Sequence, residues 1–475
     1  MQLSGFSNYV TAEGPLMGSY NLDHQKFLGE LPQSDSATGP MALSDIDGDG
    51  DLDLFLGGRV IPGRWPESTS SKLYRNRNGK WFEDEDTKRV FQHTGLVSGA
   101  LFTDLNNDGF AELVLATEWG PLRIFENRKG HFQDKTEEYG MNGFRGWWTA
   151  VTAGDFDGDG RMDLAASNWG RNTRYQEYRD RPLRIYYGPV NSSGTLQIVE
   201  AYEDPVSGEF LPIRQMGKLV KGIPDLLLRL KTNAAFGSAD IKRILGAEHD
   251  AYEFRSAEWL ESTVFLNRNH RFDAVLLPME VQLSPAFGIT AADWNGDGDQ
   301  DLFIAQNFSA SQPWTPRNDA GFGALLIGNG KGEFQAMSAE ESGIRIFGDM
   351  RGAASCDFNQ DGKMDLAVAQ NGGETKLFQN LSLHDGIRIR LKGPPQNPHG
   401  FGASIRIKED DQFGPATEIH AGSGYWSQDS PIPVLFPSSR KSKKQLDVRW
   451  PGGTVTRVEF TGLPRELKVS ISGSL

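Results

Sequence analysis

Short apolar runs recur along this chain, and five of them start directly after a hairpin built from acids and glycines. Leu113-Val-Leu-Ala and Leu366-Ala-Val-Ala are two examples. Such runs, bounded by turn residues, predict buried strands. The hairpins read Asp45-Ile-Asp-Gly-Asp-Gly-Asp-Leu-Asp53, Asp104-Leu-Asn-Asn-Asp-Gly-Phe-Ala-Glu112, Asp155-Phe-Asp-Gly-Asp-Gly-Arg-Met-Asp163, Asp293-Trp-Asn-Gly-Asp-Gly-Asp-Gln-Asp301 and Asp357-Phe-Asn-Gln-Asp-Gly-Lys-Met-Asp365. A second element recurs downstream as Leu73-Tyr-Arg-Asn, Ile124-Phe-Glu-Asn, Val264-Phe-Leu-Asn and Leu377-Phe-Gln-Asn. Several of these lead into a turn and an aromatic strand, such as Gly79-Lys-Trp-Phe. One unit therefore predicts an apolar strand, an acidic loop, a second strand, and a hairpin of a third and a fourth. Units of four strands every ~50–60 residues predict an all-β fold, a β-propeller.

The interval from Asp163 to Asp293 is too long for one unit. It contains Val264-Phe-Leu-Asn267 with no acidic loop ahead, and reads as a blade without a metal site. Inside it, Ser238 to Gly246 predicts a helix with Ser238 as N-cap and Gly246 at the end, and Leu226 to Leu230 predicts another. Six units are then legible, and residues 1 to about 38 would supply strands of a seventh. Toward the C-terminus, Ile387-Arg-Ile-Arg-Leu391 and Ala403-Ser-Ile-Arg-Ile-Lys408 alternate apolar and polar residues, as half-buried strands do. The expected division is a seven-bladed propeller over 1–384, with a helical insertion at about 215–260, and a small β-sandwich over 385–475.

The hairpins have the chemistry of calcium sites. Oxygen side chains at loop positions 1, 3, 5 and 9 converge, glycine at 6 permits the turn, and the carbonyl at 7 completes a hard-cation shell. The expected ligands are Asp45, Asp47, Asp49, Asp51 and Asp53; Asp104, Asn106, Asp108, Phe110 and Glu112; and Asp155, Asp157, Asp159, Arg161 and Asp163. The last two sets are Asp293, Asn295, Asp297, Asp299 and Asp301, and Asp357, Asn359, Asp361, Lys363 and Asp365. Asp51, Phe110, Arg161, Asp299 and Lys363 enter through their carbonyls. An EF-hand would need an acid at position 12, where this chain has Leu56, Leu115, Ala166, Ile304 and Val368. About five structural Ca²⁺ ions are expected, because every loop has a full ligand set.

Composition narrows the partners. The formal net charge of −14 excludes a nucleic-acid backbone as partner. Cys356 is the single cysteine, so no internal disulfide forms. No apolar run is long enough to span a membrane, and Met1 to Tyr20 does not read as a secretory leader. HExxH, GxSxG and P-loop motifs are missing from the sequence.

If the acidic loops lie on one face of the disc, the second strands end at the other. Aligning the units there brings together Arg59, Glu118 with Trp119, Asn168 with Trp169, Asn307 with Phe308, and Asn371. First strands start at the same face and add Trp147, Trp148, Asp349 and Arg351. Aromatic rings beside amides and charges suit sugars or peptide side chains; the plainer alternative is that these rings pack between blades.

The acidic repeats resemble the FG-GAP/VCBS repeats of integrin-type and bacterial surface propellers. Leu54-Phe-Leu-Gly-Gly-Arg-Val-Ile-Pro-Gly-Arg-Trp-Pro66, Gly146-Trp-Trp148 and Asn168-Trp-Gly-Arg-Asn172 are similar to phrases in the cartilage-acidic-protein-like family. Gly400-Phe-Gly-Ala-Ser404, Gly422-Ser-Gly-Tyr-Trp-Ser-Gln428 and Val448-Arg-Trp-Pro-Gly-Gly453 resemble the ASPIC/UnbV module. Val434-Leu-Phe-Pro-Ser departs from the His-Phe-Gly-Leu-Gly stretch usual there. The resemblance implies an exported calcium-binding protein, extracellular, periplasmic or on the cell surface. The expected function is binding or adhesion to a glycan or protein ligand. The alternatives are a polysaccharide lyase or hydrolase, with Glu118, Asp349 and Arg351 converging at the mouth of the central channel, and a structural spacer.

Overall fold

The computed structural model describes residues 2–5, 17–21, 26–31, 36–178, 181–190, 196–311, 315, 317–437 and 442–474. Each acidic loop joins the first and second strands of an antiparallel sheet whose strands lie in chain order. The first blade is Ala37–Ser44, Asp53–Val60, Lys72–Arg77 and Lys80–Glu83. The second is Leu96–Thr103, Glu112–Gly120, Arg123–Arg128 and His131–Asp134. The fourth is Ala286–Ala292, Asp301–Gln306, Ala324–Gly328 and Phe334–Ala336, and the fifth has three strands, Asp349–Cys356, Asp365–Asn371 and Lys376–Phe378. Second strands read as unbroken apolar runs because neighbouring blades cover them. Phe55, Leu113 and Phe125 share one core between the first two blades, and Phe303, Met350 and Leu366 share another between the last two.

The third blade corrects the reading of an extra, site-less blade. Its strands are Ala150–Gly154, Asp163–Ser167, Thr263–Asn267 and Phe272–Leu276, so Val264 to Asn267 is a third strand and the long interval is an insertion between strands two and three. That insertion carries its own antiparallel sheet, ordered Phe210–Pro212, Leu196–Glu203, Leu183–Val190 and Glu253–Ala257. Short helices follow at Leu226–Arg229 and Ile241–Leu245. Asp240, rather than Ser238, caps the latter by accepting the Arg243 N–H, and Gly246 ends it. Seven blades were expected; the described residues hold five sheets of the repeat order. Gln2–Gly5, Met17–Asn21 and Lys26–Leu31 form a further three-stranded sheet, and the rest of residues 1 to 35 lies outside the described residues.

The C-terminal module is two sheets around one core. Ile387–Lys392 pairs in parallel with Glu466–Ser470, and Ser404–Glu409 pairs with Lys443–Arg449. Ile387, Ile389, Ile405, Leu446, Val448 and Trp450 fill the space between them.

One segment of this module runs through the centre of the propeller. Ala421 pairs with Leu43 of the first blade's inner strand, and Gly424 with Val151 of the third. Trp426 Nε1 donates to the Ser98 carbonyl of the second at 3.0 Å. Asp429 Oδ1 accepts from Thr290 Oγ1 of the fourth and from the Ser355 N–H of the fifth, both at 2.8 Å. The segment therefore touches all five inner strands. Its glycines are required: Gly422 has φ +98° and Gly424 φ +60°, and a Cβ on them would lie 2.3 Å from the Met41 oxygen and 2.5 Å from the Ile289 oxygen. No helix among the described residues is long and apolar enough to cross a membrane.

Candidate functional site: acidic loops, hub and opposite face

The acidic loops repeat one hydrogen-bond scheme. The position-1 carboxylate accepts backbone N–H groups from within the loop, as Asp45 does from Gly48 at 2.8 Å and Gly50 at 3.0 Å, and Asp293 from Gly296 and Gly298. The position-3 side chain accepts the N–H of position 5, as in Asn106 with Asp108 at 2.8 Å. Position 9 reaches back to position 2 and across to the third strand: Asp163 accepts from Phe156 N at 2.9 Å and Asn267 N at 2.7 Å. Asp45, Asp47 and Asp49 bring one carboxylate oxygen each within 4.8 Å of one another, and so do Asp155, Asp157 and Asp159.

These groups fit a hard cation. Asp53 Oδ2 and Asp155 Oδ1 are buried with no partner among the described residues. Burial pushes Asp45, Asp104 and Asp155 up to about 6, Asp53, Asp293 and Asp301 to about 7, and Asp163 to about 8. Burial also lifts Glu112 well above the usual carboxylate range. Buried carboxylates crowded in this way need a proton or a cation.

The C-terminal module sits on these loops. Arg388 pairs with Asp357, at the first position of the fifth loop, and both side chains are almost fully buried. Arg449 Nη2 lies 3.0 Å from Asp104 Oδ2, and the Ala416 N–H donates to Asp155 Oδ2 at 2.7 Å. Glu418 accepts from Thr103 Oγ1 at 2.6 Å and from the Asp104 N–H at 3.2 Å. Gly452 N–H donates to the Gly109 carbonyl at 2.9 Å. A cavity of about 400 Å³ remains between the module and the fourth loop, with Asp293, Asp299, Glu409, Glu418 and Asp429 in its walls.

On the opposite face the structure brings eight of the expected residues together. Arg59 forms an ion pair with Glu118. Trp147 stacks on Trp169 at 4.0 Å, and Trp119 tilts against Trp147 at 5.3 Å. Phe308 meets Trp169 at 5.2 Å. Arg351 lies 4.0 Å over the Phe287 ring and 3.5 Å from Asp349, whose carboxylate also accepts from Ser309. Four expected residues do otherwise. Trp148 is fully buried in the core between the second and third blades. Asn168 and Asn307 are buried staples: Asn168 accepts the N–H groups of Trp147 and Trp169, and Asn307 bonds Gly321 both ways. Asn371 ends its strand exposed, opposite Asp349 in register.

The aromatic cluster is more covered than a shallow platform. Trp119 is 2% and Trp169 7% exposed, because Leu183, Ile185, Ala257 and Leu260 of the insertion pack on them. Two residues at the centre of this face escaped the alignment of repeats, because they come from the C-terminal module. Tyr425 and Trp426, at the tip of the hub segment, stack at 5.6 Å with 7° between the rings. Tyr425 also meets Phe287 at 5.4 Å. Their sequence signal was the phrase from Gly422 to Gln428, which carries two aromatics between small residues.

A family model for FG-GAP-like repeats matches residues 45–115, 104–166 and 293–368, and one for ASPIC and UnbV matches residues 393–474. Cartilage acidic protein 1 of Mus musculus is 24% identical over 328 residues, 64% of this chain and 44% of that protein. Its Xenopus tropicalis counterpart is 22% identical over 310 residues, 62% and 43% respectively. The chain spans less than half the length of these curated relatives. Among solved structures, a putative glycoside hydrolase from Parabacteroides distasonis aligns with 12% identity over 81% of this chain and 97% of that one, with a TM-score of 0.29. The exotype rhamnogalacturonan lyase YesX aligns with 13% identity over 95% and 75%, with a TM-score of 0.31. Likenesses at this level carry nothing about activity.

Proposed function

Because this chain carries FG-GAP-like repeats and an ASPIC/UnbV domain and is a distant homologue of cartilage acidic protein 1, we propose that it is an exported, calcium-stapled propeller that binds a glycan or protein ligand on the face opposite its acidic loops. FG-GAP-like repeats support a binding module of the propeller type. In this reading residues 1–384 form the propeller and 385–475 the module. Calcium, when bound, neutralises each carboxylate cluster and holds the ends of the first two strands together. The ions would be held by the side chains at loop positions 1, 3, 5 and 9. The chain's own part is to aim those carboxylates inward through the loop N–H groups and to keep Asp53 and Asp163 dry.

The observation that carries the reading is the position of the module. Arg388, Ala416 and Arg449 occupy the acidic face, while the tip of the hub segment delivers two aromatics to the other. A ligand is left with the face around Arg59, Phe308 and Arg351.

Blocking each face tests this. In a Cys356→Ser background, a polyethylene-glycol maleimide on Ala310→Cys, beside Phe308, is expected to abolish capture from a calcium-containing glycan and ectodomain array. The same label on Lys80→Cys, near the acidic loop of the first blade, is expected to leave capture intact. Capture that survives the Ala310 label and is lost with the Lys80 label would reverse the assignment of faces.

A further inference from the structure

Trp426 stands apart from the other described tryptophans. The residue is 55% exposed, while the rest are buried or half-buried. The ring is nonetheless held in place on three sides. Nε1 donates to the Ser98 carbonyl, one face lies on Tyr425, and the backbone is fixed at φ +52°, a region bulky residues avoid. A large aromatic that is exposed, immobilised and held in an unfavourable backbone conformation is a preformed contact surface, since ordering it costs a ligand nothing further.

Three donors on this face are left over. Arg59 gives Nη2 to Glu118, and its Nη1 is buried with no partner among the described residues. Trp119 Nε1 and Trp147 Nε1, inside the covered aromatic cluster, are buried without partners as well. All three are donors. Arg351 lies over the Phe287 ring, which meets Tyr425 of the hub tip at 5.4 Å, and the charges of Arg59 and Glu118 also act on the Tyr425 hydroxyl. Glu118 engages Arg59, and Arg351 gives Nη1 to the Asn307 and Met350 carbonyls with Asp349 beside its Nη2, so each guanidinium is held in a fixed orientation. A guanidinium with a spare N–H beside an apolar ring fits a planar anion attached to a flat, C–H-bearing body.

The geometry points to the hub tip as the ligand-contacting centre of this face, taking a sugar that carries a carboxylate: its ring lies on Trp426 and its carboxylate lies toward Arg59 and Arg351. The inference rests on the choice of face made above and adds the ligand class and the residues that read it. It also gives the C-terminal module a direct part in binding, because Tyr425 and Trp426 reach the face only by passing through the propeller from the acidic side. The acidic cavity under the module does not compete for such a ligand, since its carboxylates repel it.

The test is titration calorimetry of the full chain with calcium, against uronic-acid oligosaccharides and the same oligosaccharides reduced at the carboxyl group. Binding of the acidic series, and weakening by about tenfold or more on reduction, is expected. Trp426→Ala should weaken acidic binding by a similar factor, and Trp426→Tyr should restore part of it. Arg59→Gln should remove the preference for acidic over reduced sugars. Tryptophan emission should shift on binding in the wild type and not in Trp426→Tyr, a signature that a general loss of stability does not produce. Equal binding of both series, or acidic binding unchanged in Trp426→Ala, overturns the inference and leaves the choice of face standing. No binding of any oligosaccharide also overturns it, while the maleimide experiment, which admits protein ligands, decides the face separately.

Discussion

Asn267 donates its side-chain amide to the carbonyl oxygen of Leu105 at 2.8 Å, across 162 residues of chain. Leu105 is the second residue of the preceding blade's acidic loop. Asn127 reaches Ile46 in the same way, and Asn380 reaches Trp294, both at 2.9 Å. The fourth blade has Gly328 at this place, and there the Gly332 N–H takes over, donating to Phe156 at 2.9 Å. The backbone N–H groups of Asn267 and Asn380 meanwhile bond the position-9 carboxylates of their own loops. One recurring asparagine thus ties a blade's own loop to its neighbour's.

Asn267→Ala should therefore cost about 1–3 kcal/mol, because the Leu105 and Met162 carbonyls lose a buried donor. Urea unfolding should show a lower midpoint with an unchanged slope. A midpoint equal to that of the parent would mean the latch contributes nothing.

Ion-free stability should fall as pH rises. Unfolded carboxyls titrate near about 4. The folded values of about 6 to 8 for Asp45, Asp53, Asp155 and Asp163 mean that the folded chain holds more protons between about pH 4 and pH 8. That stabilisation is complete below about pH 4 and is lost as pH passes through the folded values. With chelator, melting should be higher near about pH 5 than near about pH 8. Millimolar calcium should raise melting far more at the higher pH, as mass action on the folded state requires. Calorimetric scans at both pH values, with and without calcium, check this; a calcium effect of equal size at both contradicts it.

Removing Arg388 should loosen the module. Its pair with Asp357 is buried, with side chains 5% and 1% exposed, so in the calcium-free chain Arg388→Ala strands a carboxylate at a cost of about 3–5 kcal/mol. The connecting stretch around Leu381 and Leu383 is already exposed. Limited proteolysis should cut there sooner in the variant and release a fragment of the module's size, and equal cutting rates would argue against docking through this pair.

The hub segment should resist even small substitutions. Gly422→Ala must displace the Met41 carbonyl, 2.3 Å from the new Cβ, at a left-handed backbone position. The expected result is a loss of stability together with a shift in emission from Trp426. Gly143→Ala, where an added Cβ meets nothing, serves as the matched control.

Much of the architecture is local and was therefore legible. The acidic loops, the strand on each side and the hairpin that follows are short-range patterns, set by which residues tolerate a turn and which prefer burial. Strands predicted at Ile387 and Ala403 appear at Ile387–Lys392 and Ser404–Glu409 for the same reason. The insertion was misread because Thr263, Val264 and Phe265 pair with Ala166, Ala165 and Leu164, about a hundred residues earlier, and no local pattern carries such a pairing. Asn168 and Asn307 were placed at the correct end of their strands, but whether an amide faces solvent or a neighbouring backbone depends on what packs over it.

The sequence by itself determined the repeat, its strand order and the carboxylate sets, since each rests on residues within a single hairpin. Only the tertiary structure decided that the module covers the acidic face, that its glycine-flanked tip fills the hub, and that Trp148 turns inward while Trp426 faces out. Those outcomes depend on contacts between elements hundreds of residues apart, where close packing selects one arrangement among many that the same local preferences allow.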